Sequence, residues 1–361
     1  MSIDAIRYES HQPPLYYVLA AGVYRLALAW HVPTLLALRL FSVGLGALSL
    51  WLGYRAVCAI LPGRRALALG AIAFAATLPM HLAMTAAVNN DVLAEVVLAS
   101  VVWHLAGMQA RDWTPRASLG LGLLLGAALL TKMQATVALG LALFALAWDM
   151  WQTRRQGGSG VWGVFVTRGA IMLGMALLVA SPWLLRNARL YGWGDVLGMA
   201  RHDQVVAGQL TTGEYLADHG LAELLRTFLW TSFRSFWGQF GWMGVVLHPR
   251  FYLGFALISG LAAIGLLHLY VQRARSHLSP ELRRGLALLG LWALLTTSGY
   301  VWYNATKYVQ HQGRYLFPAI LVWGVGFSAG MRRVLGPAPL PALMILAALV
   351  IDVLGMGLAT G

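Results

Sequence analysis

Glu9-Ser10-His11-Gln12-Pro13-Pro14-Leu15-Tyr16-Tyr17 is polar, then stiff, then aromatic, and it stands ahead of a chain that is mostly hydrocarbon. The remainder of that chain decides the fold: apolar runs of about membrane-spanning length, separated by short loops rich in arginine. Charge is costly beside lipid, so a Glu and a His at the mouth of such a chain point to chemistry at the water–lipid boundary. Pro13 and Pro14 fix the backbone just ahead of Leu15 and suit the first turn of a helix. Tyr16 and Tyr17 suit an interface, with ring in lipid and hydroxyl in water.

The 361 residues are 59% hydrophobic and 11% charged, with a mean hydropathy of +0.67. A soluble domain carries about 25% charged residues, so the composition describes a polytopic membrane protein. A β-barrel would show short alternating segments instead. The formal net charge of +13 resembles a nucleic-acid signal, but most basic residues fall in short loops between apolar runs, which is the pattern that sets membrane orientation; no nucleic-acid partner is expected. Cys58 is the single cysteine, which excludes an intramolecular disulfide and a cysteine metal cluster. The first residues lack the basic and apolar regions of a cleavable signal peptide. There is no phosphate-binding Gly-rich loop ending in Lys-Ser/Thr and no Gly-x-Ser-x-Gly elbow, which argues against a nucleotide-driven pump.

Ten spans are expected: Thr34 to Val57, Ala66 to Thr85, Val92 to Met108, Ala117 to Leu130, Ala135 to Trp148, Gly169 to Leu185, Phe251 to Tyr270, Gly285 to Tyr303, Phe317 to Gly330 and Pro341 to Leu358. The basic groups Arg64-Arg65, Arg111 with Arg116, Arg154-Arg155, the run Arg273, Arg275, Arg283, Arg284, and Arg332-Arg333 then fall on alternate loops, all on the cytoplasmic side. Counting Leu15 to Trp30 as a span would invert this pattern or require a very tight turn at His31-Val32-Pro33, so that stretch reads as an amphipathic helix lying in the outer interface. The expected class is an all-α, polytopic transmembrane helical protein of about ten spans plus this juxtamembrane helix. Residues 1–33 form the outer-face segment, 34–185 the N-terminal transmembrane helices, 186–250 an outer-face aromatic loop with amphipathic helices, and 251–361 the C-terminal transmembrane helices. The aromatics of the long loop, among them Trp230, Phe233, Phe236, Trp237 and Trp242, suit a segment dipping into the membrane surface.

Polar motifs collect at outer span ends. Asn89-Asn90-Asp91 reads either as a turn capping the next helix or as an acid that binds a divalent metal or activates an acceptor. Lys132 either snorkels or offers a cation to phosphate. Arg186 and Arg189 run against the positive-inside trend, and a lipid phosphate would account for them. In Gln312-Gly313-Arg314-Tyr315-Leu316-Phe317-Pro318, Gly313 permits close approach and Arg314 can grip a phosphate at two points; the plain alternative is a loop entering a helix. Arg39 and Glu95 read as structural, paired with each other or with helix carbonyls. His81 and His104 lack metal-site spacing.

Glu9-x-His11-Gln12-Pro13-Pro14-Leu15-Tyr16-Tyr17, Asn90-Asp91 after an inward-to-outward span, and Gln312 to Pro318 occur in this order, supported by Arg39-Leu40-Phe41-Ser42-Val43, Leu129-Leu130-Thr131-Lys132, Trp183-Leu184-Leu185-Arg186-Asn187 and Ser235 to Trp242. Over nearly its whole length the chain resembles the GT-C superfold of membrane glycosyltransferases. Within that superfold it resembles the polyprenyl-phosphate-sugar-dependent group that includes protein mannosyltransferases and the aminoarabinose transferase. The resemblance implies transfer of a sugar from a polyprenyl-phosphate donor to a lipid, glycan or protein acceptor. The site would lie on the outer face of the inner (plasma) membrane, towards periplasm or exterior. It implies Asp91, Glu9 and His11 as catalytic residues and Lys132, Arg186, Arg314 and Tyr315 as binders of the donor phosphate. A divalent metal such as Mg or Mn would sit on Asp91 and Glu9. The family pattern places a membrane helix and an acidic motif upstream of the Pro-Pro; here only Asp4 and Glu9 precede it, so the expectation is a start upstream of Met1 or a truncated paralogue. The alternatives are an inactive relic of this fold and a non-catalytic transporter or lipid-binding protein. A transporter, however, gathers polar groups near the midplane between repeated halves, and no repeat is visible here.

Overall fold

The computed structural model describes residues 10–108, 112–206, 208–273 and 278–336. Glu9 and the expected tenth span lie outside them. The described residues form α1 (Leu15–Ala29), α2 (Thr34–Ile60), α3 (Arg65–Thr77), α4 (Pro79–Thr85), α5 (Asp91–Gly107), α6 (Pro115–Leu129), α7 (Val137–Arg155), α8 (Val161–Tyr191), α9 (Met199–Val205), α10 (Thr212–Trp237), α11 (Pro249–Arg273), α12 (Pro280–Thr306) and α13 (Ile320–Leu335). Gln239–Phe240 pairs with Val245–Val246 in a two-residue antiparallel ribbon. The protein is therefore all-α in architecture.

Helices stand at nine of the ten expected spans. Five are long and apolar enough to cross a membrane: α2, Met133–Arg155, α8, Pro249–Gln272 of α11, and α12; α3 and α4 add a sixth if the pair, bent by 70°, is one span. Helices α5, α6 and α13 have 17, 15 and 16 residues. They reach roughly 22–26 Å at ~1.5 Å per residue, short of the ~30 Å hydrocarbon layer. Helix length alone thus does not yield ten spans.

Local sequence explains the boundaries. Thr114-Pro115 and Ser279-Pro280 start α6 and α12: each hydroxyl accepts the N–H three residues on (3.2 Å in both), and each proline takes the position whose N–H needs no partner. Thr211 and Glu214 cap α10 reciprocally. Gly192 ends α8 at φ 89° and Gly336 ends α13 at φ 83°, a left-handed turn that glycine enters without strain.

Small residues set the closest helix contacts, as expected where lipid removes the usual hydrophobic drive. A Cβ on Gly126 of α6 would come 2.5 Å from Cβ of Val179, and one on Gly122 2.7 Å from Cβ of Met175, so α6 and α8 run parallel at close range. Gly265 of α11 and Gly330 of α13 meet backbone to backbone.

Helix α1 folds back on α2 through a turn at His31 (φ 55°). At roughly 22 Å it is too short to cross a ~30 Å core. Tyr16 is not an interface anchor: it is fully buried, bonds Ser42 Oγ at 2.9 Å and lies against Phe41, whereas Tyr17 is exposed. The aromatics of the long loop also divide. Phe236 and Trp237 pack inward among Phe74, Phe255, Phe317 and Phe327, while Trp193, Trp230 and Trp242 stay exposed.

Alternation of the helices gives the bundle two ends. The ends of α5, α7 and α12 that carry Leu105, Asp149 and Arg284 meet at one, together with Trp113, two residues before α6. Asp149 is buried there, bonded twice by Arg284 (2.7 and 2.8 Å) and once by Trp113 Nε1 (2.9 Å), and Arg284 also reaches the Leu105 carbonyl at 3.0 Å. Removing Arg284 strands a buried carboxylate. Arg284→Ala should therefore cost about 3–5 kcal/mol and lower the melting temperature of the purified protein. Asp149→Leu combined with Arg284→Met should recover most of that loss; an equal loss in both proteins would show that the pair is not its source.

Candidate functional site

The opposite end gathers the polar turns. Asn89 closes the turn before α5, its amide donating to the Met84 carbonyl (2.7 Å) and its oxygen accepting the Asp91 N–H (2.9 Å). The buried Asn90 donates to the Thr131 carbonyl at 3.3 Å and so joins the starts of α5 and of the Lys132 turn. Because Asn89 does the local capping, the Asp91 carboxylate is left for a partner across the bundle. It also sits in the first turn of α5, where the helix dipole favours its charge.

That partner is Lys132, in extended backbone between α6 and the 3-10 turn Met133–Thr136. It does not snorkel to solvent: its side chain is 13% exposed, and its ammonium bonds Asp91. The same ammonium stands 5.9 Å from the ring centre of Tyr315, and the guanidinium of Arg314 stands 5.4 Å from it. Arg314 Nη1 is 3.4 Å from Met84 Sδ, and its Nε is buried without a hydrogen-bond partner, so the guanidinium retains donor capacity. Tyr315 is oriented by its hydroxyl, which donates to Gln310 Oε1 (2.9 Å). Gly313 is needed here for backbone contact, since a Cβ would strike α10 at Ser232 and Phe236; its N–H donates to Ser235 Oγ at 2.7 Å.

Asp91, Lys132, Arg314 and Tyr315 thus converge. Arg186 does not join them. Its Nη1 donates to Asn187 Oδ1 (2.8 Å), Tyr191 Oη (3.2 Å) and the Ser10 carbonyl (3.3 Å), and its guanidinium stacks 4.4 Å from Trp183. His11, next to Ser10, is buried and meets His202 edge-on at 5.1 Å. His202 belongs to a cluster that reasoning from sequence misses. Asp203 accepts from Lys307 (2.9 Å), Tyr308 (3.1 Å) and His202 Nδ1 (3.1 Å), tying α9 to the turn after α12. The Arg201-His202-Asp203 run is the available signal, but nothing periodic marks it. Glu95 also departs from expectation: it pairs with His81 at 2.9 Å, while Arg39 lies on an exposed face of α2.

The donor set around Tyr315 is two cations and one carboxylate already facing an ammonium. Among the described residues no group of three or more His, Cys, Asp or Glu side chains could hold a metal ion. Glu9, the second expected ligand, lies outside them. Asp91, the first expected ligand, is held by Lys132.

Burial works against the charge on Asp203, but its bonds from Lys307, His202 and Tyr308 outweigh this and hold the carboxyl below its usual range. Burial and the bond to Asp203 push Tyr308 up to about 12. A depressed carboxyl stabilises the fold above its unfolded pKa, ~3.9, and loses that contribution as pH falls through the lower folded value. Asp203→Asn should therefore lower stability at neutral pH and flatten the acid limb of a stability–pH profile below about pH 4. An unchanged acid limb would remove Asp203 from the account.

No curated protein matches the chain. A family model described as "Predicted membrane protein (DUF2142)" matches residues 5–322. With its long apolar helices, the chain is a multi-pass membrane protein, and it belongs to the DUF2142 family.

Proposed function

We propose that the chain is a membrane glycosyltransferase that moves a sugar from a polyprenyl-phosphate donor to an acceptor on the outer face of a bacterial-type inner membrane. The observation that carries this reading is the convergence of Asp91, Lys132 and Arg314, from three distant stretches, around the ring of Tyr315. A phosphate on a lipid needs cations at a membrane-proximal helix end, and Arg supplies two-point contact where Lys supplies a point charge. In the reaction, Asp91 accepts the proton of the attacking acceptor hydroxyl or amine as its lone pair forms the new bond to the anomeric carbon. The bond from that carbon to the phosphate oxygen breaks, its electron pair leaves with the phosphate, and configuration inverts. Lys132 and Arg314 stabilise the departing charge. The separate cluster of Arg186, His11 and His202 suits the acceptor side. The outer-face assignment rests on the loop charges.

Transfer from a labelled polyprenyl-phosphate sugar in proteoliposomes tests the reading. Asp91→Asn should lower turnover by about 10²–10⁴-fold, and Arg314→Ala by about 10²–10³-fold, with membrane insertion intact. Wild-type rates in both would sink it. The pairing of Asp91 with Lys132 also favours a second reading, a lipid-phosphate-binding protein without transfer; tight binding with no turnover by the wild type would select it.

A further inference from the structure

The break between α3 and α4 creates a defined backbone problem. In an unbroken helix the Ala75 carbonyl accepts from the N–H of residue 79, and Pro79 has none. His81 Nδ1 lies 2.7 Å from that carbonyl oxygen. A carbonyl only accepts, so Nδ1 carries a proton and the imidazole supplies the donor that the proline lacks. Nε2 then faces Glu95 Oε2 at 2.9 Å, with one proton between them. Both side chains are buried.

Three contacts link this pair to the Tyr315 group. Glu95 lies one helical turn after Asp91, on the same face of α5. The His81 ring meets Phe317 edge-on at 5.5 Å, three residues after Arg314. Helix α4 carries Met84, whose sulfur touches Arg314 and whose carbonyl accepts from Asn89, the residue that caps Asp91. A broken helix persists in lipid only where its freed backbone groups are satisfied again, and here one side chain serves the Ala75 carbonyl while reaching Glu95 and Phe317.

We propose that His81 is a positioning residue: by replacing the N–H absent at Pro79 and bonding Glu95, it holds α4, the start of α5 and the Gly313–Ala319 turn in the arrangement where Asp91, Lys132 and Arg314 meet one anion. The proposal rests on the anion-binding reading of that group.

Three substitutions separate its parts. His81→Asn keeps an amide N–H near the position of Nδ1, His81→Gln keeps one near Nε2, and His81→Ala keeps neither. Two quantities are measured on the full chain: amide hydrogen exchange over residues 79–92, and the affinity for decaprenyl phosphate in nanodiscs. His81→Ala should speed exchange and weaken binding by about tenfold each, with Asn and Gln in between. Wild-type exchange in the Ala variant overturns the proposal, as does a lowered melting temperature with unchanged affinity, which is the mark of a merely structural role. If the Ala variant does not insert, the Asn and Gln variants decide by the same two readouts. Failure of the wild type to bind decaprenyl phosphate overturns the anion reading instead, and exchange still decides whether His81 holds the helices.

Discussion

An ionised group beside hydrocarbon is tolerable only when a partner and hydrogen bonds replace the water it has lost. Three carboxylates show the constraint at work. Asp149 lies against Arg284, Glu95 against His81, and Asp91 against Lys132. The first and third pairs join segments distant in sequence and the second joins the consecutive helices α4 and α5, so satisfying the charge also fixes which segments meet. At one end the Asp149 pair ties α7 to α12 and α5. At the other, the Asp91 pair ties α5 to the turn between α6 and α7.

The same rule acts on the backbone. Water cannot repair an open carbonyl in lipid, so helices there are continuous or their breaks are repaired. The 70° bend between α3 and α4 is a repaired break. It turns α4 under the Gly313–Ala319 segment, where Met84 meets Arg314. Without it, α3 would continue along α13, against which Ala71 already lies at Gly324, and no helix end would stand beneath the Arg314 turn.

Much of this is legible in the sequence because it comes from one-dimensional periodicity. Apolar runs locate nine helices, and arginine loops on alternate turns separate the ends. Residues at turns of the same parity then have to share an end, which brings Asp91, Lys132, Arg314 and Tyr315 to one side. Parity does not say which neighbours touch. Arg186 shares their end but bonds Ser10, Asn187 and Tyr191. Glu95 and Arg39 suggest a pair because both are ionisable and near spans, yet the partner of Glu95 is His81, across the Asn89-Asn90 turn. Pro79 with His81 two residues later is a usable cue, since a proline in a span raises the question of what serves the orphaned carbonyl. The Asp203 cluster ties α9 to the turn after α12, where Tyr308 also bridges to Thr211, and no period encodes such a meeting. Tyr16 is ambiguous in sequence because interface and core both accept a tyrosine whose hydroxyl has a partner.

The Asp91–Lys132 pair bears on the proposed reaction in a specific way. The Lys132 ammonium occupies Oδ1 of Asp91, the carboxylate that the proposed reaction needs as its proton acceptor. A phosphate entering beside Tyr315 carries more charge than a carboxylate and competes for the same ammonium, with Arg314 already adjacent to hold its other oxygens. On the proposed reading, Lys132 moving towards the phosphate would free Asp91 Oδ1 to accept a hydrogen bond from the acceptor hydroxyl. Donor binding would then itself create the base, and an acceptor arriving without a donor would find Asp91 occupied. Under the proposed function, transfer would run in one order, donor before acceptor, set by charges that the fold pairs in any case.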